Sequence, residues 1–232
     1  MKSAENVSKS VENARKAGFE NISLDLIYGT PGETLEQWES TVKTALSYGV
    51  DHLSAYALIV EDGTKLSAKI KRGEIKRPDD DLMAQMYLRV DELANAAGLP
   101  WYELSNWGRP AEHNLVYWRN QNWWGLGPGA HSHVDGVRWW NVKHPAKYQE
   151  KLGSFESPMQ DREVLGDSEK HDEKIMLQIR LREGIALSDL NENQLKVLRN
   201  YPEQVETIEN RMVLTPVGRL IADRIVRELI MA

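Results

Sequence analysis

Asp25 sits inside the apolar run Ile22-Ser23-Leu24-Asp25-Leu26-Ile27-Tyr28, directly ahead of the break Gly29-Thr30-Pro31-Gly32. An ionised carboxylate within a sheet is costly unless something pairs with it or hydrogen-bonds it. Strand alternation sends Ile22, Leu24, Leu26 and Tyr28 to one face and Ser23, Asp25 and Ile27 to the other. One face can then pack under helices while the other turns the acid towards an interior cavity, where it would anchor a polar ligand. A carboxylate paired across the sheet with a structural Arg or Lys fits the same spacing, so that reading stays open. A second cluster is His113-Asn114-Leu115-Val116-Tyr117-Trp118. A histidine can ligate iron, and Tyr and Trp rings can line a planar apolar ligand. The same residues also describe a hydrogen-bonded surface histidine beside core aromatics. His131 and His133 lie two apart and would face the same way on a strand. Two histidines without a third ligand do not make a metal site, and solvated or structural roles are expected for both.

Two glycine-rich segments invite a phosphate reading and do not sustain it. Gly29-Thr30-Pro31-Gly32-Glu33-Thr34 lacks the Lys-Ser/Thr pair that reaches phosphate and magnesium. It reads as a tight turn into a helix that starts near Glu33 or Thr34. Gly125-Leu126-Gly127-Pro128-Gly129-Ala130 matches a dinucleotide fingerprint in form only, because Trp123-Trp124 precedes it and no helical stripe follows. A packed glycine turn beside a cavity is the expectation there.

These residues need elements to hold them. Val7, Val11 and Ala14 form a helical stripe ending at Gly18; Leu35, Trp38, Val42 and Ala45 form another ending at Gly49. Met83, Met86, Val90, Leu93 and Ala97 form a third, ending at Gly98. Strands Ile22–Tyr28, Leu53–Val60 and Trp101–Leu104 follow them in turn. Helices alternating with strands predict a parallel sheet covered by helices, with its site at the carboxyl ends of the strands. Three such units do not close a barrel, and the chain opens inside a helix, so an amino-terminal part of the fold is expected to lie outside it. From Ser105 to Ser154 the pattern lapses into Trp, Gly, Asn and His. Beyond it, Ile175, Leu177, Ile179 and Leu181 fit a buried helix, and a second helix opens at Leu187. Thr207–Leu214 fits a hairpin turning at Glu209-Asn210, and a last helix starts at Thr215-Pro216. That order is winged-helix-like. The division predicted is 1–110 for the α/β part, 111–160 for a Trp/Gly-rich connecting segment and 161–232 for a small helical domain with a hairpin.

Composition narrows the function classes. The chain of 232 residues has no apolar run near the length of about 20 residues that crosses a bilayer. It also lacks a basic-then-apolar amino-terminal signal, which predicts a cytoplasmic protein without a transmembrane segment. A net charge of -6 argues against a nucleic-acid partner. The recognition-helix candidate Leu187–Val197 agrees, carrying Asp189, Glu192 and Lys196. There is no cysteine, which excludes disulfides and thiolate-held zinc or iron–sulfur sites built from this chain.

Five stretches occur in one order: Asp25-Leu26-Ile27-Tyr28-Gly29-Thr30-Pro31-Gly32-Glu33-Thr34, His52-Leu53-Ser54-Ala55-Tyr56, Tyr102-Glu103-Leu104-Ser105-Asn106-Trp107, His113–Trp118, and Gly125–Ser132. The series resembles the oxygen-independent coproporphyrinogen III oxidase family of radical S-adenosylmethionine (SAM) proteins over essentially the whole chain. The His-Asn-x-x-Tyr-Trp element resembles its heme chaperone branch. The resemblance implies the carboxyl-terminal part of a partial parallel (β/α) barrel, followed by a small winged-helix-like domain. It implies that Asp25 hydrogen-bonds SAM, at its ribose, and that the backbone around Ile59 meets the adenine. It implicates His113, Asn114, Tyr117 and Trp118 in heme binding, with His113 the iron-ligand candidate. The family also carries a Cys-x-x-x-Cys-x-x-Cys triad for a [4Fe–4S] cluster, which this chain lacks, so radical generation is not expected of the polypeptide alone. The function implied is heme binding and transfer to an acceptor protein. The alternatives are radical decarboxylation of coproporphyrinogen III and, in another class, a nucleic-acid-binding winged helix.

Overall fold

The computed structural model describes residues 4–232. They divide into two units, 4–110 and 111–232.

The first unit runs α1 (Ala4–Lys16), β1 (Ser23–Tyr28), α2 (Leu35–Ser47), β2 (His52–Ala57), α3 (Lys65–Lys71), α4 (Asp80–Ala96), β3 (Trp101–Glu103) and β4 (Asn106–Gly108). Gly18, Gly49 and Gly98, just past α1, α2 and α4, all take positive φ, the backbone conformation that ends a helix at least cost to glycine. Thr34 caps α2: its hydroxyl accepts from the Gln37 N–H while the Gln37 side chain accepts from the Thr34 N–H, a reciprocal capping box. The Gly29–Thr34 segment is therefore the turn into that helix. β1 and β2 pair in parallel, with Asp25 opposite Ser54 and Ile27 opposite Tyr56. The sheet order is β1-β2-β4-β3. The expected all-parallel sheet needs correction here. β4 inserts between β2 and β3 and is antiparallel to both. A three-residue strand, Asn106-Trp107-Gly108, is too short to show a period in the sequence. It fits because Gly108 lies so close to β2 that a Cβ would come within 2.3 Å of the Asp51 carbonyl oxygen. β3 still points the way the third unit predicts, since two antiparallel steps restore the direction of β2.

Leu53, Ala55 and Trp107 turn to the face covered by α2 and α4, where Trp38 and Met86 are also fully buried. The Trp38 indole N–H donates to the Met86 carbonyl (2.8 Å), and that of Trp107 donates to Asp91 Oδ1 (2.8 Å). Both bonds satisfy buried donors, so the two largest core side chains are fixed in orientation as well as in place.

The second unit runs α5 (Glu112–Trp118), β5 (His131–Val134), β6 (Val137–Asn141), α6 (Pro145–Gly153), β7 (Met159–Val164), α7 (Asp167–Gln178), β8 (Ile185–Ala186), α8 (Glu192–Leu198), β9 (Val205–Ile208), β10 (Arg211–Leu214), α9 (Pro216–Leu220) and α10 (Ala222–Ile230). β5, β6 and β7 form an antiparallel sheet, and β7 extends it across residue 160. The β9–β10 hairpin turns at Glu209-Asn210 with positive φ at both, the geometry that matches the twist of its strands. With β8 it forms a three-stranded sheet, β8-β10-β9, beside α7, α8, α9 and α10. The second helix of this region begins at Glu192 rather than Leu187, because Asn191 supplies a capping box with Gln194. Leu187–Asp189 is a single 3-10 turn before it. The final helix, predicted as one, breaks at Ile221 (φ −122°, ψ 23°) into α9 and α10. Among the described residues no helix is long and apolar enough to cross a membrane.

Candidate functional site

In the first unit the strand alternation predicted for β1 holds, and its consequence for Asp25 differs from the expectation. Leu24 and Leu26 are half-buried and Tyr28 is buried, while Ser23, Asp25 and Ile27 are exposed. Asp25 therefore bears no burial cost, contrary to the expectation of a carboxylate enclosed in the sheet. The rival reading also fails: among the described residues Asp25 has no ion pair or hydrogen bond. It is an open acceptor on the edge strand of the sheet, beside Ser54 and Asn106, which are buried in the same rung. β2 ends at Ala57 rather than Val60, so Ile59 lies in the loop past the strand, 72% exposed. Ile27 and Tyr56, opposite one another, are 57% and 46% exposed. The carboxyl end of the parallel pair thus presents uncovered apolar surface one rung beyond the acid.

Next to Asp25 runs a hydrogen-bonded chain that the sequence did not disclose. Ser23 Oγ lies 2.7 Å from His52 Nδ1, and His52 Nε2 lies 2.9 Å from the Tyr102 hydroxyl. Burial pushes the His52 imidazole below its ordinary value, and the Asp25 charge opposes that shift. Beyond it, the Asn106 amide donates to Glu103 and approaches the Tyr56 hydroxyl at 3.5 Å. Glu103 is buried and also accepts from the Ser105 N–H (3.3 Å). The motif stretches hold all of these residues except Ser23, and the cross-strand links join positions 29 apart (Ser23 to His52) or 50 apart (His52 to Tyr102, Asn106 to Tyr56), which no local pattern reveals.

In the second unit α5 carries His113-Asn114-x-x-Tyr117-Trp118. One helical turn brings His113 and Tyr117 together. The Tyr117 hydroxyl lies 2.9 Å from His113 Nε2, and their rings meet edge-on with centroids 5.0 Å apart. Both are exposed, whereas Asn114 and Trp118 are half-buried. The ring contacts continue: Tyr117 meets Trp123 at 5.0 Å and Trp123 meets His133 at 4.9 Å. His133 is buried, with Nδ1 3.3 Å from the Gln121 carbonyl. His131 is exposed and stacks on Trp140 (5.7 Å, 28°). No group of three metal-ligating side chains occurs among the described residues.

The Gly125–Ala130 segment is a packed turn leading into β5. The Gly125 N–H donates to Ser132 Oγ (2.8 Å), the Gly127 N–H donates to the Tyr148 hydroxyl (3.1 Å), and the Asn141 amide donates to the Gly127 carbonyl (3.0 Å). With the Gly129 N–H donating to the Val142 carbonyl and the Ala130 N–H to the Gly127 carbonyl, four of the backbone N–H groups a phosphate would need are already engaged. A Cβ at Gly125 would lie 2.0 Å from the His131 carbonyl oxygen, so only glycine permits this approach.

Comparison with known proteins places these sites in context. No family model matches the chain. A protein named heme chaperone HemW in Mycobacterium tuberculosis is 46% identical over 222 residues, which are 92% of this chain and 56% of that protein. The heme chaperone HemW of Bacillus subtilis is 33% identical over 232 residues, covering 94% of this chain and 61% of that protein. A mouse mitochondrial protein named for its radical S-adenosyl methionine domain is 36% identical over 132 residues, 56% of this chain and 30% of that protein. The chain thus spans little more than half the length of the curated relatives it matches most fully. The solved structure of the Escherichia coli radical SAM enzyme coproporphyrinogen III oxidase (HemN) superposes with a TM-score of 0.75 at 19% identity, covering 100% of this chain and 58% of that one. That likeness bears on the fold: the chain has the mixed α/β architecture of the carboxyl-terminal part of a radical SAM fold.

Proposed function

From a chain that belongs to the oxygen-independent coproporphyrinogen III oxidase-like radical SAM family, in its heme chaperone branch, we propose a cytoplasmic protein that binds heme and passes it to an acceptor protein. The observation that carries this reading is the pair His113 and Tyr117, exposed together on α5 and joined to further aromatic rings. An exposed imidazole suits iron and an aromatic flank suits a porphyrin face. In this reading His113 supplies the iron ligand, the Tyr117 ring contacts the macrocycle, and Asn114 and Trp118 hold α5 in place. Decarboxylation of coproporphyrinogen III is the weaker reading, because the oxidase relative is 19% identical and the chaperone relatives reach 46%.

For SAM, the residues present fit. Asp25 offers a free carboxylate to ribose hydroxyls, and Ile27, Tyr56 and Ile59 offer apolar surface for a base just beyond it. Bound there, SAM supplies an adenosyl group whose reactivity depends on an iron–sulfur cluster. Asp25 then orients the nucleoside, while the Ser23–His52–Tyr102 chain fixes the neighbouring polar surface. For the cluster itself the residues do not fit, since the chain has no cysteine, and no step is derived through it.

The test is titration of ferric heme into the chain, followed by its Soret band. A saturable band that is lost or weakened at least 10-fold in His113→Ala supports the reading. Unchanged binding in that variant rejects His113 as the ligand.

A further inference from the structure

We infer that Trp123 is a positioning residue of the heme site: it holds Tyr117 against His113 and so sets how fast iron reaches the imidazole. The inference rests on the reading of His113 as the iron ligand and adds a residue outside the His-Asn-x-x-Tyr-Trp element.

A defined turn brings Trp123 back beside α5. After the helix ends at Trp118, the Asn120 N–H donates to the Tyr117 carbonyl (3.0 Å) and the Gln121 N–H donates to the Val116 carbonyl (2.9 Å), with Asn120 at φ 53°. Those two bonds around a left-handed residue are a helix-ending motif that asparagine tolerates. The chain then runs antiparallel to β5. The Trp123 N–H donates to the His133 carbonyl (2.8 Å), and the His133 N–H donates to the Trp123 carbonyl (3.0 Å). One residue earlier, the Asn122 amide donates to Asp135 Oδ1 (2.8 Å) and accepts from the Asp135 N–H (2.9 Å). The backbone under Trp123 is therefore fixed. Its ring meets that of buried His133, whose Nδ1 lies 3.3 Å from the Gln121 carbonyl.

Tyr117 has less to hold it. It is 37% exposed, and among the described residues its hydroxyl is bonded to His113 alone. Its ring contacts are His113, on its own helix, and Trp123, off it. An exposed side chain settles into one rotamer only when something outside its helix holds it there. The Trp123 ring, 5.0 Å away at 64°, is that support, and edge-on aromatic pairs attract beyond their burial. With Tyr117 held in this way, its hydroxyl sits 2.9 Å from His113 Nε2 and closes that nitrogen to a metal. Iron entry at Nε2 then requires Tyr117 to leave Trp123 and turn outward, where its ring can meet the macrocycle. The Trp123 contact belongs to the closed state, so its loss speeds entry and leaves exit unchanged.

The experiment uses the whole chain, with the His113 ring nitrogens followed by NMR and ferric heme association followed by stopped-flow absorption. Trp123→Leu is expected to move the His113 Nε2 resonance to its position in Tyr117→Phe. It is also expected to raise the association rate roughly 2- to 12-fold, the factor to which an aromatic pair corresponds, with dissociation unchanged. Trp123→Phe, which keeps a ring against Tyr117, is expected to restore the slower rate. In the Tyr117→Phe background Trp123→Leu is expected to add nothing, because no hydroxyl is left to hold in place. Circular dichroism checks that each variant keeps its fold, and Trp123→Met takes the place of the leucine variant if that one unfolds. An unmoved His113 resonance with an unchanged rate, or an equal acceleration in the Tyr117→Phe background, overturns this inference alone and leaves the His113 reading intact. Failure of the unaltered chain to form any ferric complex overturns both.

Discussion

Tyr117→Phe should tighten heme binding, which runs against the usual effect of altering a binding residue. The Tyr117 hydroxyl sits 2.9 Å from His113 Nε2, the nitrogen an iron atom would use. Iron cannot bind there until that hydrogen bond breaks. A net hydrogen bond of this kind is worth about 0.5–1.5 kcal/mol, which corresponds to roughly 2- to 12-fold in affinity. Phenylalanine removes the competitor and keeps the ring that meets Trp123 with centroids 5.0 Å apart. Ferric heme titration of Tyr117→Phe should therefore give a Kd lower by that factor. Tyr117→Ala, which also removes the aromatic contact, should bind more weakly than the unaltered chain. A parallel loss of affinity in both variants would refute the reasoning. It would mean that the hydroxyl orients His113 for ligation through Nδ1, or contacts the ligand itself.

Asp25→Asn should leave the fold unchanged, since the side chain is exposed, and should weaken SAM by about 10- to 100-fold, the range for a lost hydrogen bond to a charged group; isothermal titration measures it. The same variant removes the charge that opposes the burial of His52, so the His52 pKa, already below its ordinary 6.5, should fall further in an NMR titration. An unmoved His52 resonance would contradict their proximity. The sign for stability follows: a histidine whose native pKa is depressed binds fewer protons folded than unfolded, so its contribution is present above pH 6.5 and is lost as pH falls. Gly125→Ala forces a Cβ to 2.0 Å from the His131 carbonyl oxygen, and an overlap of that kind costs about 1–3 kcal/mol. Its Tm should drop by about 2–4 °C per kcal/mol, and a melting curve that superposes on that of the unaltered chain would show that the turn relaxes freely.

Much of the scaffold was legible in the chain itself. The three helical stripes, the glycines that end them, the Thr34 cap and the hairpin turn at Glu209-Asn210 are local features. Each is dictated by side-chain period, by backbone sterics or by a hydrogen bond spanning three or four residues. The pairing of His113 with Tyr117 was not legible in advance, because the stretch from Ser105 to Ser154 shows no helical stripe and only the structure places both residues on α5. Only the tertiary structure decided that Asp25 is exposed and without an ion pair, since burial depends on which elements cover a face rather than on the strand's own sequence. It alone inserted β4 between β2 and β3, joined Ser23 to His52 and Tyr102, and set His131 against Trp140. Those contacts link residues from different strands, where register and sheet order choose partners that no short window of sequence contains.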